Sequence, residues 1–136
     1  MTLTDAGPLV ALIDADEPHH ARCLDALTQL SLPLVTTWPA FTEAMYLLGR
    51  AAGWRGQEPL WRMTLREDLV VALPSAAANK RAARLMERYA DRPMDLADAT
   101  LVALAEERGL KLIFTLDADF HIYRLHGRQA FEILPN

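Results

Sequence analysis

Four acids, Asp5, Glu43, Asp98 and Asp117, are spaced so that successive elements of one fold could bring them to a shared hard cation. Carboxylates held within about 4–6 Å of one another resist ionising together, so such a group is costly unless a retained proton or a cation compensates. Mg²⁺ is the natural compensator, because it takes oxygen ligands, keeps several waters and binds one or two carboxylates together with phosphate oxygens. Neither His nor Cys is needed. An ion held in this way eases deprotonation of a water and offsets charge on a scissile phosphate, which is the chemistry of phosphodiester hydrolysis. Each acid also has a purely structural reading. Asp5 precedes Gly7 and Pro8 and suits an N-cap or turn. Asp95 and Asp98 suit the N-cap and third position of a helix, and Asp117 and Asp119 suit a turn after a strand. Glu43 suits a solvent-facing position, although its neighbours Phe41, Ala44, Met45, Leu47 and Leu48 are apolar.

Bringing the acids together falls to the elements between them. The short apolar start ending at Asp5 reads as a strand, followed by Gly7, Pro8 and the helical run LVALID. In HHARCLDALTQL, Ala21, Leu24, Leu27 and Leu30 recur at three-residue spacing and predict an amphipathic helix buried along that face. LVTTW after Pro33 reads as a strand feeding the helix PAFTEAMYLLGRAAG, with Pro39 in its first turn. Gly53 and Gly56 close that helix, and QEPLWRMTLRED supplies another with Leu60, Met63 and Leu65 facing inward. DLVVALP is a continuous apolar run, the pattern of a parallel strand covered on both faces, and precedes the helix former ANKRAARLMERYA. DLADATLVALAEERG then ends at the C-cap glycine Gly109, KLIFTLDADF is the clearest strand, and AFEILP is a short terminal one.

Strands alternating with helices, with no Asn-Gly hairpin signal between them, predict one three-layer α/β/α domain over residues 1–136 with a mainly parallel sheet of about five strands. Ligands of such sheets sit outside the carboxyl ends of the strands. Asp5, Glu43 and Asp117 fall at that edge, and Asp98 joins them if its helix begins near the strand ends.

Composition narrows the alternatives. Apolar residues make up 51% and charged residues 24%, ordinary values for a globular protein, and no low-complexity stretch interrupts them. Cys23 is the sole cysteine, which excludes an internal disulfide. The first residues carry no basic leader, and Asp14, Asp16 and Glu17 cut short their apolar run, so neither a signal peptide nor a membrane span is expected and a cytoplasmic location follows. A net charge of −4 argues at first against nucleic acid as partner. The four acids account for that whole excess, since the 14 remaining acids balance the 14 Lys and Arg residues.

The chain also resembles a known family. TDAGPLVALID followed by DEPHH, then TTWPAFTEAMYLL, MDLADATLVALAEERG and FTLDADF, in that order, are similar to the motifs of PIN-domain ribonucleases, specifically the VapC-type toxins of bacterial toxin–antitoxin pairs. The resemblance implies a Mg²⁺-dependent endoribonuclease, with Mn²⁺ as a possible substitute, that inhibits translation by cutting structured RNA such as tRNA or ribosomal RNA. It implies metal-binding acids at Asp5, Glu43, Asp98 and Asp117, outer-shell acids at Asp95 and Asp119, and a threonine at Thr115 that orients a carboxylate or water. A homodimer and a small VapB-type antitoxin lying along the acidic groove are also implied.

Other residues invite weaker readings. Lys80, Arg81, Arg84 and Arg88, with Arg92 beyond, could form a phosphate-contacting stripe or a solvated helix face. His19 and His20 are adjacent and so diverge on a helix, and His121 and His126 lack zinc-ligand spacing. Trp38, Phe41 and Tyr46 suit the core or a dimer surface. Among competing functions, Asp117-Ala118-Asp119 resembles the acid pair of haloacid-dehalogenase-like phosphatases, but that leaves Asp5, Glu43 and Asp98 idle and puts His121 where a threonine is usual. A receiver-like Mg²⁺ module would need an acidic neighbour for Asp5 and a lysine after a late strand, whereas Lys111 begins its strand. A housekeeping PIN nuclease shares the same acids.

Overall fold

The short apolar runs of the sequence become the parallel strands of one sheet. In the computed structural model, which describes residues 1–136, these are β1 (Thr2–Thr4), β2 (Leu34–Thr37), β3 (Leu69–Ala72) and β4 (Leu112–Phe114). A small ribbon of β5 (Arg124–Leu125) and β6 (Gln129–Ala130) follows, and β7 (Glu132–Leu134) returns to the main sheet. The strand order is β3-β2-β1-β4-β7, with every neighbouring pair parallel. Successive strands step outward from β1 to β3 on one side, whereas β4 and β7 lie on the other. The chain therefore reverses its direction of build between β1 and β4, which opens a crevice at their carboxyl ends.

Side chains alternate across this sheet. Leu3, Val35 and Ile113 face one apolar cluster with Leu85, Leu101, Val102 and Phe120, while Leu34, Leu69 and Phe114 face another with Leu9, Phe41, Leu48 and Leu60. Helices cover both faces: α1 (Ala6–Ile13), α2 (His20–Leu27), α3 (Trp38–Ala52) and α4 (Trp54–Leu65) contribute to the second cluster, and α5 (Ala76–Arg88) and α6 (Leu96–Arg108) to the first. The helix ends follow local chemistry. Ser75 caps α5 by accepting from the Ala78 N–H, Asp95 caps α6 by accepting from the Asp98 N–H, and Gly109 ends α6 at φ 68. No helix is long and apolar enough to cross a membrane.

Four expectations change. On α2 the buried residues are Cys23 and Ala26, with Leu27 partly covered and Leu30 likewise just beyond the helix, while Ala21 and Leu24 face solvent. Three-residue spacing drifts around a helix of 3.6 residues per turn, so the true stripe needs the alternating step of three and four. Leu65 at the end of α4 is exposed, because the helix stops there instead of turning it inward. The apolar run LVVA lies at the sheet edge with Val70 and Val71 half-buried, although it reads as a strand covered on both faces. Finally, an antiparallel ribbon does exist, and its turn runs through His126 and Gly127, both at positive φ. Positive φ at two successive residues is what Asn-Gly favours in tight hairpins, and it is met here by His126 and Gly127 within a three-residue connection.

Candidate metal centre

Because β1 and β4 pair as Leu3↔Ile113 and Thr4↔Phe114, the next residue of each, Asp5 and Thr115, emerges side by side at the carboxyl edge. The Asp5 N–H donates to the Phe114 carbonyl at 2.9 Å. Both oxygens of Asp5 are held: Oδ1 accepts the Ala6 N–H at 2.7 Å, and Oδ2 accepts the Thr115 hydroxyl at 2.8 Å. The same Thr115 oxygen accepts the Asp117 N–H at 3.0 Å, and Asp117 Oδ1 accepts the Asp119 N–H at 2.9 Å. A single chain of hydrogen bonds thus runs from the turn after β4 to the acid after β1.

Helix α6 brings the third acid. Its first turn starts at the crevice, so Asp98 points inward, where the Tyr123 hydroxyl donates to Oδ2 at 2.8 Å. One carboxylate oxygen from each of Asp5, Asp98 and Asp117 then lies within 4.8 Å of the others. The structural readings of these acids hold at the same time as their convergence. Asp5 is the N-cap of α1, Asp95 that of α6 with Asp98 at its third position, and Asp117 that of the 3-10 turn Ala118–His121. Capping and clustering are compatible because a helix N-terminus carries partial positive charge that favours an adjacent carboxylate.

The electrostatic consequence is strong. Asp5 and Asp98 are only 7% and 6% exposed. Burial pushes the Asp98 carboxyl up to about 8, the Tyr123 hydrogen bond working against this and the charges of Asp95, Asp5 and Asp117 adding to it. Asp5 is raised as well, chiefly by burial, with its bonds from Thr115 and Ala6 in partial opposition and Asp117 and Asp95 reinforcing. Both ion pairs of the protein, Arg62–Glu58 and Arg81–Glu106, involve other acids. No cationic side chain relieves the centre.

Glu43 stands apart from the triad, exposed on α3. It still lies in the field of the centre: desolvation raises its carboxyl, and Asp5, Asp95 and Asp117 add to the rise. Asp95 is exposed beside it, and Asp119 contributes its N–H to Asp117. On α5, Lys80, Arg84 and Arg88 share an exposed face at four-residue spacing, whereas Arg81 is turned to Glu106 through bonds of 2.7 and 3.1 Å. The His20 ring bonds the Ala11 carbonyl, His121 and His126 are exposed, and Phe41 is buried edge-on between Trp38 and Trp61. Sequence reasoning passed over Tyr123. Its only signal was a hydroxyl-bearing aromatic between Ile122 and Arg124, and nothing in the spacing connects it to Asp98, 25 residues earlier.

A parallel sheet with buried acids at its switch point, one of them delivered by a late helix, is the arrangement of a recognisable class. The chain belongs to the PIN domain family, whose model matches residues 2–125. It is similar to Ribonuclease VapC26 of Mycobacterium tuberculosis (strain ATCC 25618 / H37Rv), with 29% identity over 134 residues that cover 98% of this chain and 99% of that protein. Among solved structures, the fold is shared with Mycobacterium tuberculosis VapC20, described as a Sarcin-Ricin loop cleaving toxin, at a TM-score of 0.80 and 20% identity over 88% of this chain and 92% of that one. A toxin–antitoxin complex from Klebsiella pneumoniae superposes at a TM-score of 0.66 and 22% identity, covering 88% and 90%.

Proposed function

We propose that the protein is a Mg²⁺-dependent endoribonuclease and the toxin of a toxin–antitoxin pair. The observation that carries this reading is the convergence of Asp5, Asp98 and Asp117 within 4.8 Å with no cationic side chain to offset them. A donor set made only of hard oxygens, two of the carboxylates buried, fits Mg²⁺ or Mn²⁺ better than a soft or nitrogen-seeking metal. Asp5, Asp98 and Asp117 would hold the ion, with Glu43 at the rim. When bound, it supplies the positive charge that acidifies an attacking water and stabilises the scissile phosphate.

The chain's own groups do the remaining work. Thr115 fixes the Asp5 carboxylate and the backbone of Asp117 at once, Asp95 and Asp119 shape the turns that aim Asp98 and Asp117, and Lys80, Arg84 and Arg88 offer a face for RNA phosphates. Structured RNA, tRNA or ribosomal RNA, is the proposed substrate, and its loss would inhibit translation. A small VapB-type antitoxin placing a basic group against the acids would silence the site, since such a charge relieves their mutual repulsion. The active unit is proposed to be a homodimer located in the cytoplasm.

Purified protein incubated with tRNA and ribosomal RNA should cleave them in Mg²⁺ or Mn²⁺ and be silenced by chelation. Asp98→Asn should fold normally and lose cleavage by at least about 100-fold, the scale of removing a group that acts directly in the reaction. Equal activity of wild type and variant would sink the site assignment.

A further inference from the structure

We propose that Tyr123 is a positioning residue that engages one oxygen of Asp98, leaves the other without a hydrogen bond, and thereby biases the centre towards a small cation such as Mg²⁺ over a larger one such as Ca²⁺. The inference rests on the metal-nuclease reading above, and concerns how selectivity is built into the same centre.

The phenol has little freedom. Tyr123 is 0% exposed, and its ring meets Phe120 edge-on at 5.1 Å and 86° and Tyr89 at 5.1 Å and 69°. Its hydroxyl is therefore fixed at 2.8 Å from Asp98 Oδ2, while no hydrogen bond of the protein reaches Oδ1. A buried hydroxyl needs a partner, but the partner chosen is one of the three acids of the centre. The other two acids are restrained in the same sense: Asp5 Oδ2 by Thr115, Asp5 Oδ1 by the Ala6 N–H, and Asp117 Oδ1 by the Asp119 N–H. Each carboxylate thus has at least one oxygen already engaged by a donor.

Cation chemistry gives this restraint a consequence. Ca²⁺ gathers 6–8 oxygens at about 2.3–2.6 Å and often takes both oxygens of a carboxylate, whereas Mg²⁺ demands near-octahedral ligands at about 2.0–2.1 Å. A donor fixed on Oδ2 opposes two-oxygen binding by Asp98, and opposes it more for the ion that gains from it. Partners of metal ligands commonly change affinity about 10–100-fold when removed.

The test is direct binding of MgCl₂ and CaCl₂ by isothermal titration to the full chain and to Tyr123→Phe, which keeps the ring and deletes only the hydroxyl. Mg²⁺ affinity is expected to fall about 10-fold in the variant with Ca²⁺ affinity nearly unchanged. Tyr89→Phe is the control, since that hydroxyl accepts the Arg124 N–H and touches no acid; its Mg²⁺/Ca²⁺ affinity ratio should match wild type. A ratio in Tyr123→Phe equal to wild type, or shifted equally in Tyr89→Phe, overturns the proposal. Should Tyr123→Phe fail to fold, wild type alone still decides, because a centre that binds Ca²⁺ more tightly than Mg²⁺ contradicts it. RNA cleavage is read separately: wild type that binds Mg²⁺ selectively and cuts no RNA refutes the nuclease function, and leaves the role of Tyr123 standing.

Discussion

At the scale of single residues, the centre depends on side chains that hold the acids as much as on the acids. Thr115 is the clearest case, buried at 2% exposure, with one oxygen that donates to Asp5 and accepts from Asp117. Replacing it with Val keeps the shape and deletes both bonds. Thr115→Val should lose about 1–3 kcal/mol of stability, the range for leaving buried polar groups unpaired. Cleavage of RNA should fall about 10–100-fold with the Mg²⁺ half-saturation raised, and Thr115→Ser should restore most of both. Denaturant unfolding and a Mg²⁺ titration of the cleavage rate check this, and an unchanged half-saturation would show that Thr115 serves only the core. Sequence spacing placed Thr115 beside Asp117, but only the pairing of β1 with β4 put its hydroxyl on Asp5.

At the scale of elements, the acids stay aligned because helices lock onto the sheet at close range. The α3–α4 corner shows how tight that packing is. A Cβ at Gly56 would come within 2.6 Å of the Leu48 carbonyl oxygen, which is backbone and cannot swing aside. Gly56→Ala should therefore destabilise the protein by about 1–3 kcal/mol despite the better helix propensity of alanine. None of the clustered acids lies on α4, so cleavage well below the melting temperature should stay close to wild type. A thermal melt beside an activity assay separates the two, and a stabilised variant would mean the corner opens without cost. Gly56, which its spacing from Gly53 suggests as a helix terminator, is instead an early residue of α4 and admits the backbone of α3.

At the scale of the whole molecule, clustering of the acids should make stability depend on pH, and on metal where one is bound. In the metal-free protein the Asp98 carboxyl sits near 8, against about 3.9 for an unfolded aspartate. Between those values the folded state holds a proton that the unfolded chain has released, so raising the pH favours unfolding. The melting temperature in EDTA is expected to fall from about pH 5 to about pH 8. Mg²⁺ requires ionised carboxylates, so its stabilisation should grow over the same interval and offset the fall. Asp98→Asn should flatten the EDTA profile. Scanning calorimetry across that range, with and without Mg²⁺, decides it; a flat wild-type profile in EDTA would mean the acids are less coupled than their burial implies.

The sequence by itself determined the alternation of strands and helices, the parallel five-stranded sheet, and the placing of Asp5 and Asp117 after their strands. Periodicity and glycine or proline breaks are local signals, and parallel pairing follows once helices intervene between strands. The N-cap at Asp95 was legible in the same local way. Only the tertiary structure decided that β3 is an edge strand, that Glu43 stays outside the group of three acids, that Arg81 belongs to Glu106, and that Tyr123 reaches Asp98. Those outcomes depend on which side of β1 each later strand joins. That choice is made by long-range packing, which residue spacing along the chain does not encode.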